Sequence, residues 1–380
     1  METAHQSKAH IESRGSAGLA LAAALALLSA CGSSRSAENF PCSVILDVTP
    51  VFLQGNDSDE VDPAAQVAVD SRGHFFASSR AGARVLEWGS DGHLIRGIGR
   101  SGDGPGELGQ GSVVPFVAPG DSLFVRDNHM HWVVFDSSGR FIRQSPIGAA
   151  MAVSSTDLLF LPTGGMLTSF VRPGQDVHNV SILNRLGQTT RSFNAFRQDS
   201  QPPSPHPAVY VGEGHVWIGS TAGTPTDYGI QVWDTTGRLV DSVPLRLEHF
   251  QSAPTPEPGH QSQPFPYPYL SRLLTDGSGT VLALIATPKS SDAAAKFFAA
   301  GPNAKARDYL VLHVVAIDRQ SAKHLADTVW SYDPTVFSRP IAGTQFVTRV
   351  STDSIGVERL GISSWRLRGK AGASCPRSSP

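Results

Sequence analysis

Six blocks of this chain repeat one pattern, in which four short apolar segments are separated by tight turns. In the first block the inner segments are Gln66–Asp70 and His74–Ser78, and the outer segments are Arg84–Trp88 and His93–Arg96. The outer turns carry glycines at Gly92, Gly139, Gly187 and Gly237. Successive glycines are 47, 48 and 50 residues apart, and a repeat of this length with four strands is typical of β-propeller blades. The pattern predicts an all-β fold, a six-bladed β-propeller with four-stranded antiparallel blades.

The register of the repeat also predicts where the strands lie. The second strands are expected at Phe75–Ser79, Leu123–Asp127, Met166–Phe170, Val216–Ser220, Val281–Ile285 and Ile355–Leu360. The third strands are expected to centre on Leu86, Val134, Ile182, Val232, Val314 and Arg366. The sixth block has no fourth strand, whereas Cys42–Val48 has no partner in its own block. We expect this N-terminal strand to close the last blade, because the pairing removes both free sheet edges. An open array of hairpins or a sandwich is the alternative, although sandwiches do not keep such a period.

Residues 1–30 resemble a bacterial lipoprotein signal peptide. Two basic residues precede an apolar run over Ala17–Leu28, which is too short to span a bilayer. The run ends in Leu28-Ser29-Ala30-Cys31-Gly32, which is similar to the lipoprotein cleavage box. In that box the cysteine is lipidated, so the resemblance implies a lipid on Cys31. An ordinary signal peptide with a chance cysteine is the alternative.

The segment 31–41 is predicted to be a flexible tether, because most of its residues are small or polar. The residue after Cys31 is a glycine, not the aspartate that the lipoprotein resemblance associates with inner-membrane retention. We therefore expect a lipid-anchored protein of the bacterial cell envelope, on the outer membrane and facing the periplasm. Residues 42–375 are expected to form a single propeller, and 376–380 a disordered tail.

Two further cysteines, Cys42 and Cys375, lie at the two ends of the predicted ring. Export places them in an oxidising compartment. Cys42 begins the N-terminal strand and Cys375 follows the last strand, so antiparallel pairing of these strands brings the two sulfurs together. We predict a Cys42–Cys375 disulfide that locks the closure. Two free thiols are the alternative, and two thiols are too few for a typical zinc site.

The charge of the chain argues against one class of partner. The chain has 31 Lys and Arg against 33 Asp and Glu, a formal net charge of −2. The sequence shows no basic stripe, so nucleic acid is a poor candidate partner. We expect a monomer.

Loop lengths indicate which face of the propeller carries function. Turns between strands one and two, and between three and four, are short, whereas the other connections include nearly every long loop. The long segments are Arg100–Ser112, Phe196–Pro207, Gln251–Pro268 and Pro288–Asp308. Because variable loops on a rigid scaffold usually carry binding residues, we place the functional surface on this face, at the mouth of the central channel. The proline-rich stretch 254–268 should be extended, and a short helix is expected over 291–301.

One of these connections contains a candidate metal site. The stretch from Asp127 to His131 includes His129 and His131 in a His-x-His pattern, which puts both rings on one side of a strand. No third ligand is evident in the sequence, and exposed or hydrogen-bonded histidines are the alternative. A divalent metal is thus the alternative to a protein without a cofactor. The acidic stretch Asn56–Asp62 lacks the glycine and the final glutamate of a calcium loop and is interpreted as a solvated turn.

Equivalent loop positions in several blades offer polar side chains to a ligand. The candidates are Arg84, Asp127, His129, Arg172, His178, Asp227 and Tyr228. They would line a channel mouth, and ordinary rim residues are the alternative. The chain has no Gly-x-Ser-x-Gly, His-Glu-x-x-His or Gly-x-x-x-x-Gly-Lys motif, so no catalytic residue is predicted.

The first two blocks also carry a family resemblance. Residues 62–73, 84–88 and 99–108 look like the NHL-repeat type of six-bladed propeller, and more closely like the bacterial lipoproteins among such propellers. The resemblance implies binding of a ligand or a protein at a propeller face and no agreed reaction. Some relatives are lyases or lactonases, whose metal ligands cannot be placed in this chain. The sequence favours a membrane-tethered, non-catalytic binding propeller whose partner is an unknown small molecule or envelope protein. The alternative is a metal-dependent hydrolase or lyase with its site at the loop-rich mouth.

Overall fold

The structure is a computed structural model. It describes residues 40–46, 50–55, 60–62, 65–111, 113–147, 158–169, 180–184, 188–193, 208–211, 214–219, 229–245, 268–276, 279–301, 304–331, 340–342, 345–352, 358–370 and 375. These residues form an all-β, six-bladed propeller of antiparallel sheets, so the predicted fold class is confirmed. Among the helices in these ranges, none is long and apolar enough to cross a lipid bilayer.

The chain begins with two short strands, β1 (Cys42–Leu46) and β2 (Val51–Phe52). Blade 1 then contains β3 (Ala68–Val69), β4 (Phe75–Ser78), β5 (Val85–Trp88) and β6 (Leu94–Ile98). Blade 2 contains β7 (Val114–Val117), β8 (Leu123–Arg126), β9 (His131–Phe135) and β10 (Phe141–Pro146). Blade 3 contains β11 (Leu158–Phe160), β12 (Met166–Ser169), β13 (Val180–Leu183) and β14 (Thr189–Phe193).

The remaining blades follow the same order. Blade 4 contains β15 (Ala208–Val211), β16 (His215–Gly219), β17 (Gly229–Asp234) and β18 (Leu239–Pro244). Blade 5 contains β19 (Tyr269–Thr275), β20 (Thr280–Pro288), β21 (Leu310–Asp318) and β22 (His324–Ser331). Blade 6 contains β23 (Pro340–Ala342), β24 (Gln345–Thr352) and β25 (Glu358–Gly369), completed by β1 and β2. The first strand of each blade is the innermost, since β3 contacts β7 and β23, and β15 contacts β19.

Blades 1 to 5 place their second and third strands where the repeat predicts them. In blade 6 the third strand, β25, contains the predicted Arg366, but the second strand is not at the predicted position. The predicted second strand Ile355–Leu360 is wrong, because the second strand is β24 and Leu360 belongs to β25. β25 is a single strand of 12 residues that passes through Gly361 and two serines without turning. It stays extended because β24 and β2 pair with it opposite the same residue, Ile362, while β1 pairs with its end.

The N-terminal strand closes the ring as predicted. In the antiparallel pair of β1 and β25, Cys42 lies opposite Gly369 and Leu46 lies opposite Trp365. A disulfide joins Cys42 to Cys375, whose Cα atoms are 6.1 Å apart, so the predicted disulfide is confirmed. The two ends of the described propeller are therefore held by both backbone pairing and a covalent bond.

The core consists of apolar layers between neighbouring blades. Between blades 1 and 2, Phe76 and Val85 are buried with Val133 and Phe135 in one cluster. Successive side chains of a strand point to opposite faces of its sheet, and each face of a blade meets a neighbouring blade. This explains why middle strands such as β5 and β9 are nearly continuous apolar runs.

Blade 5 carries an insertion between β20 and β21. It contains the helices α1 (Ala293–Ala300) and α2 (Ala306–Tyr309), so the helix predicted over 291–301 is present, although it starts two residues later. Phe297 packs on Tyr309 with ring centroids 5.4 Å apart. Phe298 is 60% exposed and does not pack into the propeller.

Candidate ligand-binding site

A cavity of about 570 Å³ lies along the centre of the ring. It is lined by the first strands of blades 1 to 5 and by the turns that follow those strands in blades 1 to 3. In each sheet the first strand is an edge strand, so it presents backbone N–H and C=O groups to the channel. The rest of each blade is packed between two neighbours, which makes this wall a rigid one.

The side chains of the cavity wall are mostly apolar. Val69, Val117, Phe160 and Val209 come from four different blades. Leu159 also lines the cavity and is 38% exposed, although the neighbouring Leu158 is buried. A large aliphatic side chain that remains exposed inside a concave site is suited to contact an apolar ligand.

One end of the cavity is formed by the turns after the first strands of blades 1 and 2. The backbone N–H of Ser71 donates to Asp121 Oδ1 at 2.9 Å, and Ser71 Oγ donates to Asp121 Oδ2 at 2.6 Å. These bonds, led by the one from the Ser71 hydroxyl, lower the pKa of Asp121. The carboxylate therefore stays ionised while it ties the two turns together.

A cluster of buried charge adjoins this end of the cavity. The side chains of Asp70 and Glu87 are only 1% and 2% exposed. Arg72 Nη2 lies 2.6 Å from Asp70 Oδ2, and Arg96 Nε donates to Glu87 Oε2 at 2.6 Å. His74 Nδ1 lies 2.9 Å from Glu87 Oε1. The hydrogen bond to Asp70 raises the pKa of Arg72, so this guanidinium is a permanent cation.

The same cluster contains three side chains of the types that bind metal ions. Within the described ranges, Asp70, His74 and Glu87 are the group whose ligand atoms all lie within 4.8 Å of one another. Each carboxylate in it already has an arginine partner, Arg72 or Arg96, at 2.6 Å. Two guanidinium groups therefore neutralise the charge that a divalent ion would need, and the arrangement is that of a salt-bridge network.

Of the predicted metal residues of blade 2, His129 lies in the connection before β9 and His131 is the first residue of that strand. Asp127 is buried, and its carboxylate accepts the N–H of His131 at 2.7 Å and the N–H of Gly109 at 3.5 Å. His129 is 47% exposed, and its Nδ1 lies 3.2 Å from an oxygen of Asp103. These two histidines are not joined to a third ligand in the part of the chain that the structure describes. Asp127 acts here as an acceptor that organises the loop.

The structure describes only some of the remaining predicted site residues. Arg84 is exposed before β5, and its guanidinium lies over Gly97 of the neighbouring strand. The other candidates lie outside the described residues and stay predictions, namely Cys31, Arg172, His178, Asp227 and Tyr228. Of the described candidates, Asp127 and His129 lie at the connection between β8 and β9, and the ligand-binding set as a whole stays a prediction.

The position of the cavity can be compared with the loop-rich face, on which the loop lengths predict the functional surface. Its turn end, near Ser71 and Asp121, is on the face of the short turns, opposite to the long loops. Of the long loops predicted for the other face, 196–207 and 251–267 lie outside the described residues, whereas 100–111, 288–301 and 304–308 are described. The assignment of the loop-rich face therefore stays a prediction.

Sequence reasoning missed the cavity wall and the charged cluster. The first strands are two to seven residues long and carry ordinary apolar residues, so nothing in them distinguishes a channel wall from a core strand. A signal for the cluster was present, however. Glu87 interrupts the apolar strand Val85–Trp88, and a charged residue at a buried strand position requires a partner.

Comparison with one solved structure supports the fold. A member of the DUF4221 family from Bacteroides vulgatus matches with a TM-score of 0.52 and 8% identity, over 86% of this chain and 99% of that one. A putative exported protein from Bacteroides fragilis matches with a TM-score of 0.49 and 12% identity, over 86% of this chain and 95% of that one. A streptogramin B lyase matches with a TM-score of 0.40 and 9% identity, over 86% and 98%, which is too distant to indicate an activity.

No protein-family model matches the chain, and a search of curated proteins finds no match. The resemblance to NHL-repeat lipoproteins therefore stays a prediction, while the six-bladed architecture is established by the sheets themselves.

Proposed function

We propose that this chain is a non-catalytic binding propeller of the bacterial cell envelope, anchored through a lipid on Cys31, which holds a small ligand in its central channel. The observation that supports the proposal is the cavity of about 570 Å³ along the ring axis. Small-molecule sites in proteins are typically apolar concavities of about 300–1,000 Å³ with a few placed polar groups. The cavity has this size and this lining.

The channel suits binding better than catalysis because of the side chains that it offers. Among the lining residues that the structure describes, there is neither histidine nor cysteine. The two acidic groups, Asp70 and Asp121, are engaged by Arg72 and Ser71. A general acid or base must be able to exchange its proton with a substrate, and these carboxylates are committed to holding turns.

An uncharged apolar dye, Nile red, tests binding in the channel. Leu159→Trp fills the cavity from its wall, and Leu239→Trp is the matched control, because Leu239 is a 46% exposed leucine on the outer strand β18. We expect dye fluorescence on the wild type and on the Leu239 variant, and a clear loss on the Leu159 variant. Equal fluorescence from all three proteins would show that the dye, and with it the proposed site, is elsewhere.

The anchor is tested separately in cells. We expect radiolabelled palmitate to enter the wild-type chain and not a Cys31→Ser variant, and the wild type alone to partition into the detergent phase of Triton X-114. Sedimentation of envelope fractions then locates the wild type in the outer or the inner membrane. A wild-type chain without label would remove the anchor from the proposal and leave the channel result unaffected.

The alternative function, a metal-dependent hydrolase or lyase, would require a divalent ion to displace Arg72 and Arg96 from the carboxylates of the cluster beside the channel. Asp70 both lines the cavity and belongs to the group with His74 and Glu87. Metal analysis of the purified protein distinguishes the two functions. One equivalent of a divalent ion, lost either in His74→Ala or in His129→Ala/His131→Ala, would overturn the non-catalytic proposal and identify the site.

A further inference from the structure

An irregularity in the first strand of blade 5 places a cation in the cavity wall. The pairing of β19 with β20 shifts between Leu270 and Arg272, so Ser271 is an extra residue. Its hydroxyl donates to the carbonyl of Leu284 at 3.1 Å. A β-bulge of this kind changes the direction in which the following side chains point and recurs next to binding sites. Arg272, the next residue, lines the channel and is partly buried.

The charges of the cavity wall are unevenly distributed. Of the lining side chains within the described ranges, three are charged, Asp70, Asp121 and Arg272. The two carboxylates lie at the turn end, where Arg72 and Ser71 bind them. Arg272 lies midway along β19, among the apolar walls. An anionic group in the channel is therefore attracted to Arg272 and repelled from the turn end.

We infer that the channel binds an apolar molecule that carries one carboxylate group, with the carboxylate on the guanidinium of Arg272. The inference rests on the proposed function and adds the class of ligand to it. A guanidinium has five N–H donors, so Arg272 can keep contacts within the protein and still donate two parallel bonds to a carboxylate. The low dielectric of an apolar wall strengthens that pair. A phosphate monoester carries nearly two charges, for which the described wall provides one cation.

Three probes that each have a ten-carbon chain and differ in their head group test the inference by displacement of Nile red. They are decanoate, decanol and decyltrimethylammonium, the two ions used below their micelle concentrations and decanol below its solubility limit. The protein is a purified Cys31→Ser chain, so that no attached acyl group competes. We expect decanoate to displace the dye at about tenfold lower concentration than decanol, which is what one charge-assisted hydrogen bond supplies. The cationic probe should be the weakest of the three.

Two matched pairs of variants assign the effect to the channel. Arg272→Gln should weaken the binding of decanoate about tenfold and leave the binding of decanol unchanged. Arg368→Gln, at an exposed position of β25, should change the binding of neither probe. Leu159→Glu should weaken the binding of decanoate more than Leu159→Gln does. The two side chains are nearly the same size, and the negative charge of the glutamate repels the carboxylate of the probe.

The outcomes separate this inference from the proposed function. Equal displacement by decanoate and decanol, with no effect of Arg272→Gln, would overturn the carboxylate preference and leave a channel that binds apolar molecules. Displacement of the dye by none of the three probes would overturn the inference as well. Stoichiometric chemical conversion of any probe, detected by mass spectrometry, would instead overturn the non-catalytic function.

Discussion

Three turns of the propeller are each organised by one aspartate. Asp70, Asp136 and Asp234 accept the backbone N–H groups of the residues two and four positions later, at 2.9–3.0 Å. The residue three positions after each of them is a glycine with a φ of 81°, 79° or 90°. Only glycine adopts this left-handed backbone without a steric cost. The spacing Asp-x-x-Gly is therefore a local code for the hairpin turns, and it is visible in the sequence.

The charge of such an aspartate should make stability depend on acid pH. Hydrogen bonds led by the one from the Ser138 hydroxyl lower the pKa of Asp136 to about 2, against about 3.9 in an unfolded chain. Because the folded value is the lower one, the carboxylate stabilises the fold above pH 4, and this contribution is lost as the pH falls towards 2. Asp136→Asn keeps the acceptor oxygen but not the charge. We expect its melting temperature to lie below that of the wild type at pH 7 and to approach it at pH 2.

A control for this comparison is Asp103→Asn, since the side chain of Asp103 is 86% exposed. Melting curves for the three proteins at pH 7, 4 and 2 provide the measurement. A difference between wild type and Asp136→Asn that is as large at pH 2 as at pH 7 would contradict the role given to the charge.

At the scale of elements, arginines of the outermost strands connect neighbouring blades. Arg96 of β6 donates to Glu87 in its own blade and to the carbonyls of Ser137 and Ser138 in the outer turn of blade 2. Arg191 of β14 lies in the same way against Gly237, in the outer turn of blade 4. The turn glycine thus does two things, because it permits the tight turn and leaves room for the arginine.

Removal of Arg96 should therefore destabilise the propeller strongly. Arg96→Ala leaves the Glu87 carboxylate, which is 2% exposed, without its closest cation. Breaking such a buried pair from one side should lower the free energy of unfolding by about 2–4 kcal/mol. Arg140→Ala is the matched control, because that arginine is 84% exposed and a solvent-exposed ion pair such as the one with Asp136 contributes little to stability. Urea denaturation measures both, and equal losses would show that Glu87 is held by its other neighbours.

The strands of blades 1 to 5 could be predicted because the turns between them can be recognised from a few neighbouring residues. Glycines such as Gly92 and Gly139 fix the hairpins, and the apolar strands fill the intervals. Blade 6 could not be predicted in the same way. Gly361 resembles a turn residue, but pairing on both edges keeps β25 extended, and that pairing involves strands about 300 residues apart in sequence.

The candidate site was harder to predict than the fold. A channel wall is made of strand edges, whose chemistry is that of the backbone and is the same for any sequence. Arg272 became a candidate only through the bulge at Ser271, which depends on the pairing register of β19 and β20. Polar loop residues such as Asp127 and His129 are predicted from residue type. Residue type alone does not show whether a side chain is used to hydrogen-bond the backbone of its own loop.

The whole molecule depends on how its two ends meet. The N-terminal segment does more than supply the last strand, because it also reaches blade 1. Leu53 N–H donates to the Leu360 carbonyl in blade 6, while Gln54 N–H donates to the Gly92 carbonyl in blade 1. Trp88 Nε1 donates in turn to the Gln54 carbonyl. The segment therefore bridges the first and last blades, and its outer part, β1, is fixed at Val44, whose N–H donates to Thr328 in blade 5.

Opening the disulfide separates the covalent part of this closure from the backbone part. A cross-link between residues 333 positions apart restricts the unfolded state. It should therefore stabilise the folded chain by at most about 5 kcal/mol. We expect dithiothreitol, or the Cys42→Ser/Cys375→Ser variant, to lower the free energy of unfolding by up to this amount. The aromatic bands of the near-UV circular dichroism spectrum should not change, since β1 still pairs with β25. The reductant should have no effect on the double variant. Equal stability of the oxidised and reduced wild type would mean that strand pairing alone closes the ring, and loss of the folded spectrum on reduction would mean that it cannot.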